Sequence, residues 1–129
     1  MPKIILASGP VIIENNKVLL VKHGDNFWKF CGGKAKNFEN ESLKEIAIRE
    51  AKEETNLDIK ITDKQPFFFF TKKESTDGII DVVLVHFLAK ATGKIKPGKD
   101  IEACERFDIN TLPSDIAPNI KPTIEYFAK

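Results

Sequence analysis

One amphipathic segment, Glu41–Leu57 (ESLKEIAIREAKEETNL), constrains what this chain can fold into more than any other stretch. Apolar side chains recur there at the i, i+3, i+4 spacing of a helix face that packs on a core, at Leu43, Ile46 and Ala47. Continued along the same face, the stripe reaches three glutamates, Glu50, Glu53 and Glu54. The segment therefore predicts a helix that packs through its first half and presents carboxylates on the same face farther along.

This carboxylate cluster has two interpretations. Helices rich in Glu, Lys and Ala are usually solvated and need no ligand. On a packed face, however, an unpaired carboxylate is costly, and a hard divalent cation such as Mg²⁺ or Mn²⁺ would compensate its charge through oxygen ligands. Arg49 favours the second interpretation, because only two of the 20 basic residues are arginines. Its planar guanidinium can hold a carboxylate in one orientation, and helix spacing predicts pairs with Glu45 and Glu53.

Length and charge exclude several classes of protein. A chain of 129 residues predicts one domain, 1–129, and a net charge of +1 argues against broad attraction to duplex nucleic acid or to a membrane surface. No stretch approaches the roughly 18 apolar residues of a membrane helix. Two cysteines, Cys31 and Cys104, do not make a disulfide framework. We therefore expect a cytoplasmic location.

The rest of the chain alternates between apolar, β-branched runs and turn signals. Strands are predicted at Lys3–Ala7, Pro10–Ile13, Lys17–Lys22, Leu57–Thr62, Gln65–Thr71, Ile79–Ala89 and, more briefly, Phe107–Ile109. Asn15-Asn16 predicts a hairpin between the early strands. The central helix is expected to begin after Asn40 or Ser42, to end near Thr55 and to be capped by Asn56, and Pro122 fits the first turn of a terminal helix. The pattern predicts an α/β fold, a mixed sheet packed between helices.

Four consecutive phenylalanines, Phe67–Phe70, stand in one of the predicted strands. A platform that stacks on a nucleobase is one interpretation. We instead expect a strand that is buried on both faces, the commoner cause of such a run.

The residues around the central helix resemble the signature of the Nudix hydrolases, G-x5-E-x7-R-E-U-x-E-E-x-G-U, in which U is a bulky aliphatic residue. The match runs from Glu41 through Arg49-Glu50-Ala51-Lys52-Glu53-Glu54 to Asn56-Leu57, and the approach Trp28-Lys29-Phe30-Cys31-Gly32-Gly33-Lys34 is similar to the family's W-x-x-PGGK. The likeness extends over nearly the whole chain. Three departures stand out: seven residues rather than five separate Gly33 from Glu41, Ala51 is small, and Asn56 replaces glycine.

The resemblance implies a Nudix-type α/β/α sandwich and a Mg²⁺-dependent site, with Mn²⁺ as an alternative ion. Glu50, Glu53 and Glu54 would bind the metal together with the backbone of Gly33, and Arg49 would orient them. Glu41 would support the site from the start of the helix. Gly32 and Gly33 would let the backbone approach the substrate, which Trp28 and Arg106 could also contact. The general base stays open among five acidic residues, Glu53, Glu54, Asp100, Glu102 and Glu105.

The implied activity is hydrolysis of the pyrophosphate bond of a nucleoside diphosphate derivative, either a (deoxy)nucleoside triphosphate or an ADP-ribose-like nucleotide. A catalytically silent, nucleotide-binding regulator with the same fold is the alternative. Such regulators usually lack the arginine or a glutamate of the signature, and this chain keeps Arg49 and every glutamate. The expected partner is a small nucleotide, and the chain would act as a monomer or a homodimer.

Overall fold

The computed structural model describes residues 4–24, 27–36 and 40–128, and within them eight strands and two helices. In chain order these elements are β1 Ile4–Glu14, β2 Lys17–His23, β3 Trp28–Lys29, β4 Gly33–Lys34, α1 Leu43–Thr55, β5 Asp58–Ile61, β6 Phe67–Ser75, β7 Gly78–Thr92, β8 Ile101–Asp108 and α2 Ile120–Phe127.

β1 joins two halves of the mixed sheet. Its Ile4–Ile12 segment runs parallel to β7, whose other side pairs antiparallel with β5 and β6. Its end, Ile13 and Glu14, pairs antiparallel with β2, which is flanked by β3 and β8. The turn between β1 and β2 contains Asn15 and Asn16 at φ 52° and 63°, left-handed conformations that asparagine tolerates. The predicted hairpin is thus confirmed.

The helices cover different parts of the sheet. α1 packs on β1 and β5, and Ala47 meets Val85 and Phe87 of β7 in one core cluster. α2 closes a second cluster through Ile120, Ile124 and Phe127, which pack with Val11, Val18, Leu20, Trp28 and Phe30. The predicted α/β architecture, a mixed sheet packed between helices, is confirmed.

Both ends of α1 follow the sequence pattern. Ser42, not Asn40, is the N-cap, and it forms a capping box: its hydroxyl accepts from the Glu45 amide at 3.2 Å, while the Glu45 carboxylate accepts from the Ser42 amide at 2.9 Å. Asn56 caps the other end in the left-handed conformation at φ 68°. The first turn is tied to the sheet as well, because the Ser8 hydroxyl donates to the Leu43 carbonyl at 2.6 Å.

Two strand predictions need correction. Burial of Phe67–Phe70 on both faces is wrong, because side chains in β6 alternate and leave Phe68 and Phe70 exposed at 49% and 73%. Phe67 packs against the core cluster that α2 closes, whereas the opposite face of β6, which carries these two rings, is left to solvent. Within the described ranges β6 pairs only with β7, so its other edge is unpaired. The short strand predicted at Phe107–Ile109 overlaps the end of a longer strand, β8. The rest of β8 was missed because its exposed side chains are charged and interrupt the apolar pattern.

Parts of two loops lie outside the described residues, at positions 25–26 and 37–39. The second gap contains the centre of Lys34–Asn40, the loop that is longer than the signature requires. In the described ranges, neither helix is long and apolar enough to cross a membrane.

Candidate active site

The helical phase of α1 decides which glutamates turn toward the protein. Its buried stripe continues through Ala51 and Thr55 rather than through the glutamates. Glu50 and Glu54 flank this stripe and are 15% and 12% exposed, whereas Glu53 is 56% exposed. The expectation that all three project from the packed face is therefore wrong for Glu53, because it lies on the solvent side of the stripe.

Arg49 organises three carboxylates around one guanidinium. Its Nε and Nη2 donate to the two carboxylate oxygens of Glu41 at 2.6 and 3.0 Å, a bidentate pair. Its Nη1 faces Glu50 at 3.2 Å and Glu53 at 3.3 Å. The hydrogen bond to Arg49 lowers the pKa of Glu41, and the same bond raises the pKa of Arg49. The predicted pair with Glu53 is present, but Glu41 takes the place predicted for Glu45, whose carboxylate caps the helix instead.

Glu54 is the most perturbed of these carboxylates. Its Oε1 is buried and has no hydrogen-bond partner among the described residues, and His23 Nε2 is 3.9 Å away. Burial, followed by the negative charge of Glu50, raises the pKa of Glu54 to about 8. Hydrogen bonds from the Cys31 thiol and the Gly32 amide oppose this rise. Cys31 is buried, and desolvation together with the Glu54 charge raises the pKa of its thiol, so the thiol is a neutral packing group.

Gly33 lets the β4 backbone lie directly against the Glu50 side chain. A methyl group at Gly33 would lie 2.5 Å from the Glu50 carboxyl carbon and Oε1, so any side chain there would displace Glu50. Gly33 therefore lets backbone and carboxylate share a space that a larger residue would fill.

The segment 93–100 donates hydrogen bonds to carbonyl groups at the end of α1 and brings Asp100 close to the glutamates. The Lys96 amide donates to the Thr55 carbonyl and the Gly98 amide to the Glu54 carbonyl, both at 2.9 Å. Glu50, Glu53 and Glu54 line a cleft of about 390 Å³ together with His23 and Asp100. We call it the acidic cleft. Glu102 and Glu105, also predicted as possible bases, point from β8 and do not line it.

The carboxylate oxygens of the acidic cleft suit a divalent cation, although they are not arranged as a complete coordination shell. Among the residues that the structure describes, no three His, Cys, Asp or Glu side chains are already arranged to hold a metal ion. Yet the buried Glu54 oxygen without a partner, beside a second carboxylate that raises its pKa, is a group whose charge a cation would compensate. Hard oxygen donors of this kind suit Mg²⁺ or Mn²⁺.

A second concavity, not predicted from the sequence, lies on the other side of the glycine pair. It has a volume of about 730 Å³, and its lining includes Gly32, Gly33, Phe27, Phe69, Leu84, His86 and Asn119. We call it the apolar cavity. Lys34 lines this cavity and also a surface cleft that contains Arg49 and Glu50. Because Glu50 lines the acidic cleft as well, the acidic cleft and the apolar cavity are neighbours. The phenylalanine run gave a partial signal, since Phe69 contributes to the wall and Phe70 does not.

Two predicted substrate contacts lie elsewhere. Trp28 is a core residue: its ring packs edge-on against Phe107 with centroids 4.8 Å apart, and Lys22 Nζ is 5.2 Å from its centre. Arg106 is exposed on β8 opposite Leu19 and lines neither the acidic cleft nor the apolar cavity. Sequence proximity to the glycines and the scarcity of arginine suggested these contacts, but strand direction carries both side chains away.

Comparisons with known proteins find relatives of this chain by sequence and by fold. The ADP-ribose pyrophosphatase of Methanocaldococcus jannaschii is 31% identical over 105 residues, which cover 80% of this chain and 61% of that protein. This chain thus spans less than two thirds of the length of that relative. The MutT NUDIX hydrolase of Burkholderia pseudomallei superposes with a TM-score of 0.78 at 19% identity, over 97% of this chain and 98% of the other. At that identity the likeness shows the fold alone.

A second solved structure, the NUDIX hydrolase of Nitrosomonas europaea, has a TM-score of 0.70 at 26% identity and covers 91% of this chain and 65% of its own. The NUDIX domain family itself matches residues 6–127, nearly the whole chain, a range that includes the glutamates of the acidic cleft and Arg49. On this match and this fold, the chain belongs to the NUDIX domain family, the Nudix hydrolases.

Proposed function

We propose that this chain hydrolyses the pyrophosphate bond of a nucleoside diphosphate derivative in a reaction that depends on a divalent cation, Mg²⁺ in preference to Mn²⁺. One observation carries the proposal: a buried carboxylate oxygen without a partner, on Glu54, lies in an acidic cleft beside a cavity large enough for a nucleoside. The sequence relative that is named a pyrophosphatase supports it.

Three side chains and one peptide would hold the cation, Glu50, Glu53, Glu54 and the carbonyl of Gly33. Held by these groups, a divalent cation would supply charge neutralisation for the phosphates and Lewis acidity for the attacking water. Arg49 restrains Glu50 and Glu53 in the apo protein, and Glu41 holds Arg49 by a bidentate pair. Because Glu53 is largely exposed, it can leave Arg49 at little cost when a ligand competes for it.

The general base is proposed from the acidic residues that line the cleft. This criterion keeps Glu53, Glu54 and Asp100 of the five predicted candidates and leaves out Glu102 and Glu105. Asp100 is held close by the hydrogen bonds that attach segment 93–100 to the carbonyls of α1. An Asp100→Asn variant that loses turnover, yet still binds nucleotide and metal, would identify Asp100 as the base.

The substrate would place its base in the apolar cavity and its phosphates over the glycine pair. Phe69 and Phe27 offer aromatic surface to a planar ring. Lys34 and Lys36 line the surface cleft next to Glu50, where they would attract phosphates that run toward the acidic cleft. Both proposed substrate classes, ADP-ribose-like nucleotides and (deoxy)nucleoside triphosphates, carry a pyrophosphate next to the nucleoside, as this placement requires. The relative's name favours the first class.

A nucleotide screen tests the proposal. ADP-ribose, nucleotide sugars and the (deoxy)nucleoside triphosphates are incubated with Mg²⁺ or Mn²⁺, and products are separated by chromatography. Formation of AMP and ribose 5-phosphate would identify an ADP-ribose-like substrate, and a nucleoside monophosphate with pyrophosphate would identify a triphosphate. Glu125→Gln, an exposed glutamate on α2, is the matched control for substitutions in the cleft. Lack of turnover on every substrate by a folded protein that binds nucleotide would overturn the proposal.

Metal binding provides a second measurement that does not depend on turnover. Added Mg²⁺ should raise the Tm of the native chain, because it relieves repulsion among the cleft carboxylates. The rise should be absent from the double variant Glu53→Gln/Glu54→Gln and intact in Glu125→Gln.

A further inference from the structure

Two polar side chains face each other in the wall of the apolar cavity. His86 on β7 and Asn119, the residue before α2, are each more than nine-tenths buried and both line the cavity. Asn119 Nδ2 lies 3.0 Å from His86 Nε2, across 33 residues of sequence. Other polar side chains of the lining include four lysines, Ser8 and Thr71, but His86 and Asn119 are buried and bonded to each other.

The direction of this hydrogen bond follows from the groups involved. An amide nitrogen can only donate, so Nε2 accepts and the proton of a neutral ring must reside on Nδ1. Burial lowers the pKa of His86 to about 4, which keeps the ring neutral at physiological pH. His86 Nδ1 has no partner among the described residues, so no competing contact fixes another tautomer.

Packing holds both members of the pair in place. The Phe30 ring lies against the His86 ring with centroids 5.0 Å apart. The Thr123 hydroxyl donates to the Asn119 carbonyl at 2.6 Å, which fixes the Asn119 backbone at the start of α2. One Nδ2 hydrogen is donated to His86, which restrains the orientation of the amide, and the carbonyl oxygen Oδ1 is the acceptor that Asn119 can offer to the cavity.

We infer that His86 is a positioning residue for base selection: by accepting from Asn119 Nδ2, it turns the amide oxygen toward the cavity and selects a base that carries an amino donor. The inference rests on the proposed function only in taking a nucleobase as the occupant of the apolar cavity. A base with a carbonyl at the same position would bring two acceptors together and leave both without a donor. Such a mismatch in a buried site costs about 10- to 100-fold in affinity.

Binding measured without metal tests this role separately from catalysis. Affinities of AMP and GMP are compared with that of IMP, which lacks the amino group of either, and CMP is compared with UMP. The native chain should prefer an amino-bearing member by about 10- to 100-fold. His86→Phe keeps a ring but offers no acceptor, so Asn119 can rotate and the preference should fall toward 1. His86→Gln, whose carbonyl can accept from Nδ2, should retain most of the preference.

A general loss of packing would weaken amino-bearing and carbonyl-bearing nucleotides alike, so the ratio of affinities isolates the positioning role. Should His86→Phe fail to fold, His86→Leu gives the same comparison. Equal binding of the paired nucleotides by the native chain, or a preference that survives in the variant without an acceptor, would overturn the inference. A preference that depends on His86 in a chain without turnover would support the inference and count against the proposed function. Turnover without any preference among the nucleotides would support the proposed function and overturn the inference about His86.

Discussion

The acidic cleft and the apolar cavity are neighbours, joined where Gly33 of the cavity lies against Glu50 of the cleft, but they are built in opposite ways. The cleft takes its glutamates from one helix and Asp100 from the segment that attaches to the end of that helix. The cavity collects side chains from strands and loops throughout the chain and from the start of α2. The cleft is organised by charge, through Arg49, whereas the cavity is organised by packing and one buried hydrogen bond.

This difference has an energetic consequence. Like charges crowd the cleft, so its groups are stabilised fully only when a cation joins them. The cavity wall is already packed and needs no ligand to keep its shape. Substitutions in the cleft should therefore change catalysis more than folding, and substitutions in the cavity should change binding preference or folding.

The largest expected effect comes from removing a cleft carboxylate. Glu53→Gln and Glu54→Gln should each lower kcat by about 100-fold or more, because each removes a proposed ligand of the cation. Without metal, Glu54→Gln should leave the Tm unchanged or raise it, since it replaces a desolvated acidic group beside Glu50 with a neutral amide. Steady-state kinetics and thermal melts check both statements, with Glu125→Gln as the control. Near-normal rates in both variants would show that the metal assignment is wrong.

The next effect concerns the pH dependence of stability at the cavity. His86 has a folded pKa of about 4 against an ordinary 6.5, so below pH 6.5 the unfolded chain binds a proton that the folded chain does not. The free energy of unfolding should fall as the pH drops from 6.5 to 4, by up to about 3 kcal/mol from this group. Urea denaturation of the native chain and of His86→Phe, repeated at pH 7, 5.5 and 4.5, isolates this contribution. Parallel pH curves for the two proteins would contradict it.

A smaller effect is expected where the two regions join. Gly33→Ala should reduce turnover by about tenfold or more, because its methyl group displaces the Glu50 carboxylate, while stability changes little since that side chain can move. Gly24→Ala is the matched control, as a methyl group there meets nothing within 4 Å. Equal activity of the two alanine variants would show that the contact between Gly33 and Glu50 is dispensable.

The smallest effect separates the two faces of β6. Phe70→Thr should change the free energy of unfolding by no more than about 0.5 kcal/mol, because the ring is already exposed. Phe69→Thr should weaken nucleotide binding, since Phe69 lines the cavity. Calorimetric titration with AMP and urea denaturation distinguish them. If Phe70→Thr weakened binding as strongly as Phe69→Thr, the assignment of the cavity to one face would be wrong.

Features encoded within a short stretch could be predicted from the sequence. The α1 stripe, its Ser42 and Asn56 caps and the Asn15-Asn16 turn depend on residues a few positions apart, so local pattern was sufficient. Arg49 could be assigned to the glutamates by helix spacing for the same reason. The pairing of Arg49 with Glu45 was predicted wrongly, because the Glu45 carboxylate accepts from the Ser42 amide in the capping box instead.

Features that depend on position in the sheet could not be predicted. A run of phenylalanines carries no sign that β6 lies at an edge, so burial on both faces was inferred from composition alone. His86 and Asn119 are 33 residues apart, and no periodicity links a strand residue to the start of a distant helix. The apolar cavity therefore appears only in three dimensions, although it is the region that would decide which nucleotide is chosen.

One edge of β6 pairs with no strand in the described part of the chain, which has a consequence for how the protein behaves at high concentration. An unpaired strand edge with exposed aromatic rings is the usual starting point for edge-to-edge aggregation. Here Lys72 and Lys73 follow the phenylalanines after a single residue, Thr71, and Lys72 Nζ lies 2.6 Å from Asp81 Oδ1. Charged residues at this place act as gatekeepers, because another chain that paired along β6 would have to bring its own lysines against them. The colloidal stability of this enzyme fold would thus depend on two lysines far from its acidic cleft.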